Sequence, residues 1–304
     1  MNHSNTEFDA YLMVDWSANA RPKTGKDSVW YFLLTRTSGR VTVPRCKNLA
    51  TRTMAIEEIA KILADYSQRG VSTLVGFDFP YGYPSGFAGA LGLSGKPPWR
   101  AVWNELKGVI TDDNKNRNNR FEVAASFNRR ISGQPFPFWG CPRKRQSTTL
   151  TSCKVRPSST GALPEYRLTD NRAKGAQPVW KLFGPGCAGS QALVGIPCVA
   201  RLRDDDELSP HSAVWPFETS LGQLQPRSGR EWLILYAEIF PPLFKPDVGP
   251  GEIKDRVQVR KLVERLKAED ERGELGEWFA GPNELSENDR RKIVSEEGWI
   301  LGVR

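Results

Sequence analysis

Apolar runs and turn-rich breaks alternate closely over the first third of the chain. Residues 11 to 16, YLMVDW, form an apolar run; DSVWYFLLTR and GRVTVPRC follow after Gly/Lys and Ser/Gly breaks, which predicts three antiparallel strands joined by turns. In TRTMAIEEIAKILADYSQRG, Met54, Ile56, Ile59, Ile62, Leu63 and Tyr66 recur near the helical period and Gly70 supplies the stop. One amphipathic helix over the sheet is expected. VSTLVGFDFP then reads as a strand ended by Pro80, Gly82 and Pro84. The helix before it predicts a parallel crossover that lays it beside the first strand.

From residue 86 to 229 the pattern changes to short periodic segments among many Gly, Pro, Arg and Trp residues, as in an insertion. Within it PPWRAVWNELKGVI, NRFEVAASFNRRI and CAGSQALVGIPCVARLRDD read as helices, QSTTLTSCKVRPSSTG as an exposed polar loop, and AVWPFETS as a short strand. EWLILYAEIFPP restores a clean strand, and IKDRVQVRKLVERLKAEDERG is the last long helix, with Asp255 in its first turn. SENDRRKIVSEEGWILGVR closes the chain. Glu296 and Glu297 could approach the site from the C-terminus, although the usual surface preference of Glu favours an exposed pair.

Composition narrows the class. At 304 residues and 39% hydrophobic content the chain can bury a large core. Lys and Arg total 43 against 35 Asp and Glu, a net +8 that favours polyanionic partners. Five scattered cysteines and two histidines argue against a zinc site, and the cysteines read as small buried hydrophobes. Without a signal-like N-terminus or a run of about 18 apolar residues, a soluble, cytoplasmic protein with no membrane partner is expected.

The chemistry-bearing signal is the placement of acids. Asp15, Asp78 and Glu238 fall at the ends of strands, where burial is deep and a carboxylate needs a partner or a cation. If the crossover is parallel, Asp15 and Asp78 lie at adjoining carboxyl ends, where open α/β sheets bind ligands. Oxygen donors suit Mg²⁺ or Mn²⁺. Lys115, Arg117, Arg120, Arg129 and Arg130 surround one helix, and Arg143, Lys144 and Arg145 follow Phe136, Phe138 and Trp139. Such interleaving would grip phosphates and stack on bases, or be a solvated face over an aromatic core. Ser190 and Gln191 read most simply as caps of the helix that starts there.

The order of three strands, helix, strand, then a final strand and helix is that of the ribonuclease-H-like fold. VDWSAN, GFDFPYGYP, GSQALVGIP and AEIFPP resemble the corresponding motifs of a bacterial domain-of-unknown-function family of predicted ribonuclease-H-like nucleases. The resemblance implies metal-ligand positions at Asp15, Asp78 and Glu238. Asp255 is a looser match, because KDRVQVR stands where that family more often carries an Asp/Ala-rich helix.

The expectation is therefore a single α/β domain over residues 1–304 with a ribonuclease-H-like mixed sheet. Its core spans 8–85 and 230–272, with an insertion at 86–229 and a C-terminal segment at 273–304. The expected activity is divalent-metal-dependent cleavage of nucleic acid, DNA or RNA. Asp15, Asp78, Glu238 and Asp255 would be catalytic ligands, and Arg117, Arg120, Arg129, Arg130, Arg143, Lys144 and Arg145 nucleic-acid contacts. The alternatives are a noncatalytic nucleic-acid or partner-binding protein on the same fold, or a phosphotransferase or cofactor-biosynthesis accessory protein.

Overall fold

The computed structural model describes residues 6–37, 40–41, 43–94, 97–155, 163–225, 227–244 and 247–304. Strand β1 (Ala10–Asp15) is buried at every residue, as a strand covered on both faces must be. It pairs antiparallel with β2 (Val29–Thr37), whose outer edge carries both β3 (Arg40–Val41) and β4 (Arg45–Leu49). The expected third strand is thus two short ones. Pro44, which has no N–H to donate, lies between them.

Helix α1 (Arg52–Gln68) starts at Thr51, whose side chain accepts a hydrogen bond from Met54 N at 3.2 Å, and it buries Ala55, Ile59, Ile62, Leu63 and Tyr66. Gly70, at φ 68°, ends it and returns the chain as β5 (Thr73–Phe77), parallel to β1. The segment after β5 holds α2 (Phe87–Ala90), α3 (Pro98–Val109), α4 (Arg120–Ile131) and α5 (Ala188–Arg203). It then enters β6 (Ser212–Val214), which pairs parallel with β7 (Ile234–Glu238). β7 pairs parallel with β5, giving the sheet order β3-β2-β1-β5-β7-β6. β6 lies within residues 86–229, so that stretch adds an edge strand to the sheet as well as helices beside it.

Alternate residues of β1 face opposite layers. Ala10, Leu12 and Val14 join a core with α1, α3, α4 and α5, while Tyr11 and Met13 join one with α6 (Lys254–Glu271). Val259, Leu262, Val263 and Leu266 of α6 line that second layer. After α7 (Glu287–Lys292) the chain comes back to the sheet: Ile300 forms a parallel bridge with Glu238, and Leu301 N donates to Glu238 O at 2.9 Å. No helix among the described residues is long and apolar enough to cross a membrane.

Candidate metal centre

The register of β1 and β5 pairs Val14 with Phe77, which makes Asp15 and Asp78 the next facing pair. Asp78 N donates to Val14 O at 3.3 Å, so the parallel geometry extends past the end of β5. Asp15 is buried and Asp78 half-buried. Asp78 Oδ1 accepts from Trp16 N at 2.6 Å, and the Asp15 and Asp78 carboxyls face each other across the two strand ends.

Burial raises both carboxyls well above the usual carboxylate range. For Asp15 the adjacent Asp78 and Asp255 charges add to the rise. For Asp78 the Trp16 amide pulls the other way. Two adjacent carboxylates cannot both be charged without a counter-ion. Asp78, half-buried and accepting from Trp16 N, is the better supported of the two as a carboxylate.

Asp255 approaches from the first turn of α6. Its Oδ2 accepts from Asp27 N at 2.6 Å, which ties the helix to the loop after β1. Arg52, almost fully buried, fixes that loop from the other side: its Nη1 donates to Ser17 O at 2.9 Å and Asn19 O at 2.8 Å, and its Nε pairs with Asp112 at 2.5 Å. Among the described residues no three His, Cys, Asp or Glu side chains form a ready-made metal cage.

Glu238, expected as a further ligand, has another role in the geometry. It pairs with Phe77, one register step short of Asp78, which faces Ile239. Side chains alternate along a strand, so one step turns Glu238 to the opposite face. There Arg167 takes both oxygens, Nη1 to Oε2 at 2.7 Å and Nη2 to Oε1 at 2.6 Å, and Tyr81 N donates to Oε2 at 3.0 Å. Arg167 also binds Asp170, at 2.8 Å. Burial works against the Arg167 charge, but Asp170 and Glu238 outweigh it and hold the guanidinium ionised.

The basic residues disperse. Arg117 pairs with Asp113 at 2.6 Å, Arg130 with Glu105 and Arg145 with Glu122, and Arg129, Arg143 and Lys144 are exposed. Phe138 is buried in the core against Phe87 and Trp180, which removes it as a base-stacking surface. Arg120 alone of the seven lines a cavity beside the acids. Its Nε donates to Ser190 Oγ at 2.9 Å and its Nη1 to Asn118 Oδ1 at 2.7 Å, with no ion-pair partner among the described residues. Burial and the neighbouring Arg52 charge lower its pKa to about 10, which leaves it cationic at neutral pH.

Two cavities meet at the centre. One, about 520 Å³, is lined by Asp15, Asp255, Arg120, Lys254 and the exposed Phe183. The other, about 240 Å³, is lined by Asp78, Phe79, Ile239 and Phe240. Gln191 borders both, and its Nε2 donates to Trp16 O at 2.8 Å, which leaves the amide oxygen as its acceptor. Gln191 and Ser190 therefore do not cap α5. The cap position is Cys187, and Ser190 Oγ donates to Leu182 O at 2.5 Å.

Glu296 and Glu297 are not an exposed pair. Both are buried: Glu296 accepts from Gly86 N and Ala88 N, each at 2.8 Å, and Glu297 from Ser85 N at 3.0 Å and Leu168 N at 2.7 Å. They clamp the turn that follows Asp78. Nor are all the cysteines buried, since Cys153 is exposed and Cys46 and Cys187 are half-buried. Arg52 and the two glutamates carry no local signature, because their partners are backbone atoms and acids far along the chain, and Arg167 joins its near neighbour Asp170 to the distant Glu238. Comparison with protein-family models, with curated proteins and with solved structures finds no match to this chain.

Proposed function

We propose that the chain is a divalent-cation-dependent phosphodiesterase acting on nucleic acid, built on a ribonuclease-H-like sheet. The observation that carries this reading is the Asp15 and Asp78 pair, a buried and a half-buried carboxyl facing each other at the adjoining ends of parallel strands, with Asp255 lining the same cavity as Asp15. The strand order, with β1 between an antiparallel β2 and parallel β5 and β7, supports the fold assignment.

Asp15 and Asp78 would hold Mg²⁺ or Mn²⁺, with Asp255 adjacent. Mg²⁺ typically keeps several waters and binds through one or two carboxylates plus substrate phosphate, so an incomplete protein cage fits it. Such an ion, when bound, supplies a nucleophilic water near neutral pH and offsets charge on the departing oxygen. The chain's own groups do the rest. Arg120 and Lys254 draw in the phosphate, the Gln191 amide oxygen accepts a hydrogen bond at the junction of the cavities, and Glu238 with Arg167 stiffens the wall behind Asp78. A phosphotransferase would need free amides at a glycine-rich turn, whereas Gly189 N donates to Lys181 O at 2.9 Å and Ser190 N to Cys187 O at 3.1 Å.

Calorimetric titration with Mn²⁺, run beside cleavage of mixed single- and double-stranded nucleic acid, tests this. Wild type and Glu238→Gln are expected to bind Mn²⁺ and cleave, and Asp15→Asn and Asp78→Asn to do neither. A wild-type protein that binds nucleic acid but no Mn²⁺ would mark the fold as a noncatalytic scaffold.

A further inference from the structure

The seven basic residues that might have formed a polymer track do not form one at the acids. Three are paired with acids of the same chain, and Arg120 alone reaches the cleft. Arg129 and Arg130 sit at the far end of α4 from Arg120, about 14 Å away at 1.5 Å per residue. Substrate contacts near the carboxylates are thus offered by two small, partly open clefts, with Arg120 the one residue of the seven that lines them.

The clefts differ in chemistry. The larger one, about 520 Å³, holds the charged groups Arg120, Lys254, Asp15 and Asp255. The smaller one, about 240 Å³, has apolar walls in Phe79, Pro80, Ile239 and Phe240. Its deepest polar groups neutralise one another, because Arg167 is bonded to both Glu238 and Asp170. What stays open to a ligand there is the Gln191 amide oxygen, together with the half-buried Phe240 ring. Small-molecule sites are typically clefts or cavities of about 300–1,000 Å³ with apolar walls and a few placed polar groups, which describes the joined clefts.

Resting on the proposed phosphodiesterase reading, we infer that the substrate is a short nucleotide, a dinucleotide or a strand terminus, rather than the interior of a long strand or duplex. One base occupies the apolar cleft against Phe240, with a base-edge donor on the Gln191 oxygen. The phosphodiester lies at the junction beside Asp15 and Asp78. The remaining phosphate or sugar extends toward Arg120 and Lys254, and Phe183 at the mouth offers a face to a second base.

The test measures kcat/KM with Mn²⁺ for a dinucleotide, its counterpart lacking one base, a long single strand and a long duplex circularised to remove their ends. The dinucleotide is expected to exceed the abasic probe and both circular substrates, counted per bond, by roughly tenfold or more, equivalent to about 1.4 kcal/mol of transition-state binding. Phe240→Ala should erase the advantage over the abasic probe mainly through KM. Phe240→Leu, which keeps more bulk, serves if the alanine variant does not fold. Circular strands cleaved as well as the dinucleotide, with no effect of the missing base, would overturn the short-substrate inference and leave the nuclease reading standing. No Mn²⁺ binding and no cleavage of any probe would overturn both.

Discussion

A facing pair of carboxyls whose ionisation burial opposes couples charge, metal and stability at a single point. Burial raises the folded-state pKa of Asp15 and Asp78 above the ordinary value of about 3.9. Between that value and the raised one the native state binds a proton that the unfolded chain has already lost, so metal-free stability falls as pH rises through the window. Above it, Mn²⁺ at about a hundred times its Kd should restore roughly 2.7 kcal/mol. Asp15→Asn removes the second charge. Its metal-free melting point should exceed wild type above the window by the equivalent of about 0.5–2 kcal/mol, the usual range when a functional strain is relieved, and should not respond to Mn²⁺. Thermal melts across pH, with and without Mn²⁺, read all of this. A wild-type melting point that rises with pH in the metal-free protein would contradict the raised carboxyl pKa values. Both residues were visible in the sequence because each is an acid at the end of an apolar run. Glu238 had the same appearance and differs by one register step, and register is a property of the pairing that no single strand displays.

At the scale of elements, the central strands β1, β5 and β7 were legible because they are buried along their whole length and so read as unbroken apolar runs. Helix α1 was legible through its period and its Gly70 stop. The C-terminal segment was not. Its value lies in contacts with residues some 210 positions earlier, where Glu296 and Glu297 accept from the amides of Ser85, Gly86 and Ala88. The reciprocal requirement falls on Gly82: a Cβ there would lie 2.3 Å from Glu296 O and 2.5 Å from Glu297 O, both backbone atoms that cannot swing aside. Gly82→Ala should therefore lower stability by about 1–3 kcal/mol, the range for forced overpacking, and speed amide exchange at Gly86 and Ala88. It should also weaken Mn²⁺ binding, since the turn carries Asp78. Denaturation midpoints with residue-resolved exchange check the first two effects and calorimetry the third. An alanine variant as stable as wild type would show that the clamp has slack.

For the whole molecule, the +8 net charge invites a long polyanion, and the folded chain qualifies that invitation. Net charge is a sum, whereas affinity depends on which cations face the ligand at once. The sequence could not report that Arg117, Arg130 and Arg145 pair with Asp113, Glu105 and Glu122, since two of those pairs join separate elements. At the cleft two cations without an ion-pair partner among the described residues remain, Arg120 and Lys254. Counterion release gives a slope of about −0.7 in log K against log salt for each single-strand phosphate contact, so two contacts predict roughly −1.4, while a track using all seven anticipated residues predicts about −5. Equilibrium binding of a short single strand to the Asp15→Asn protein, repeated over a salt series, measures this without cleavage. Arg120→Gln should shallow the slope by close to one contact and weaken binding of short strands of different sequence alike, because a phosphate contact carries no base information. A steep slope that Arg120→Gln leaves unchanged would move the nucleic acid away from the cleft and onto the exposed Arg129, Arg143 and Lys144 surface, separating the binding face from the carboxylate pair.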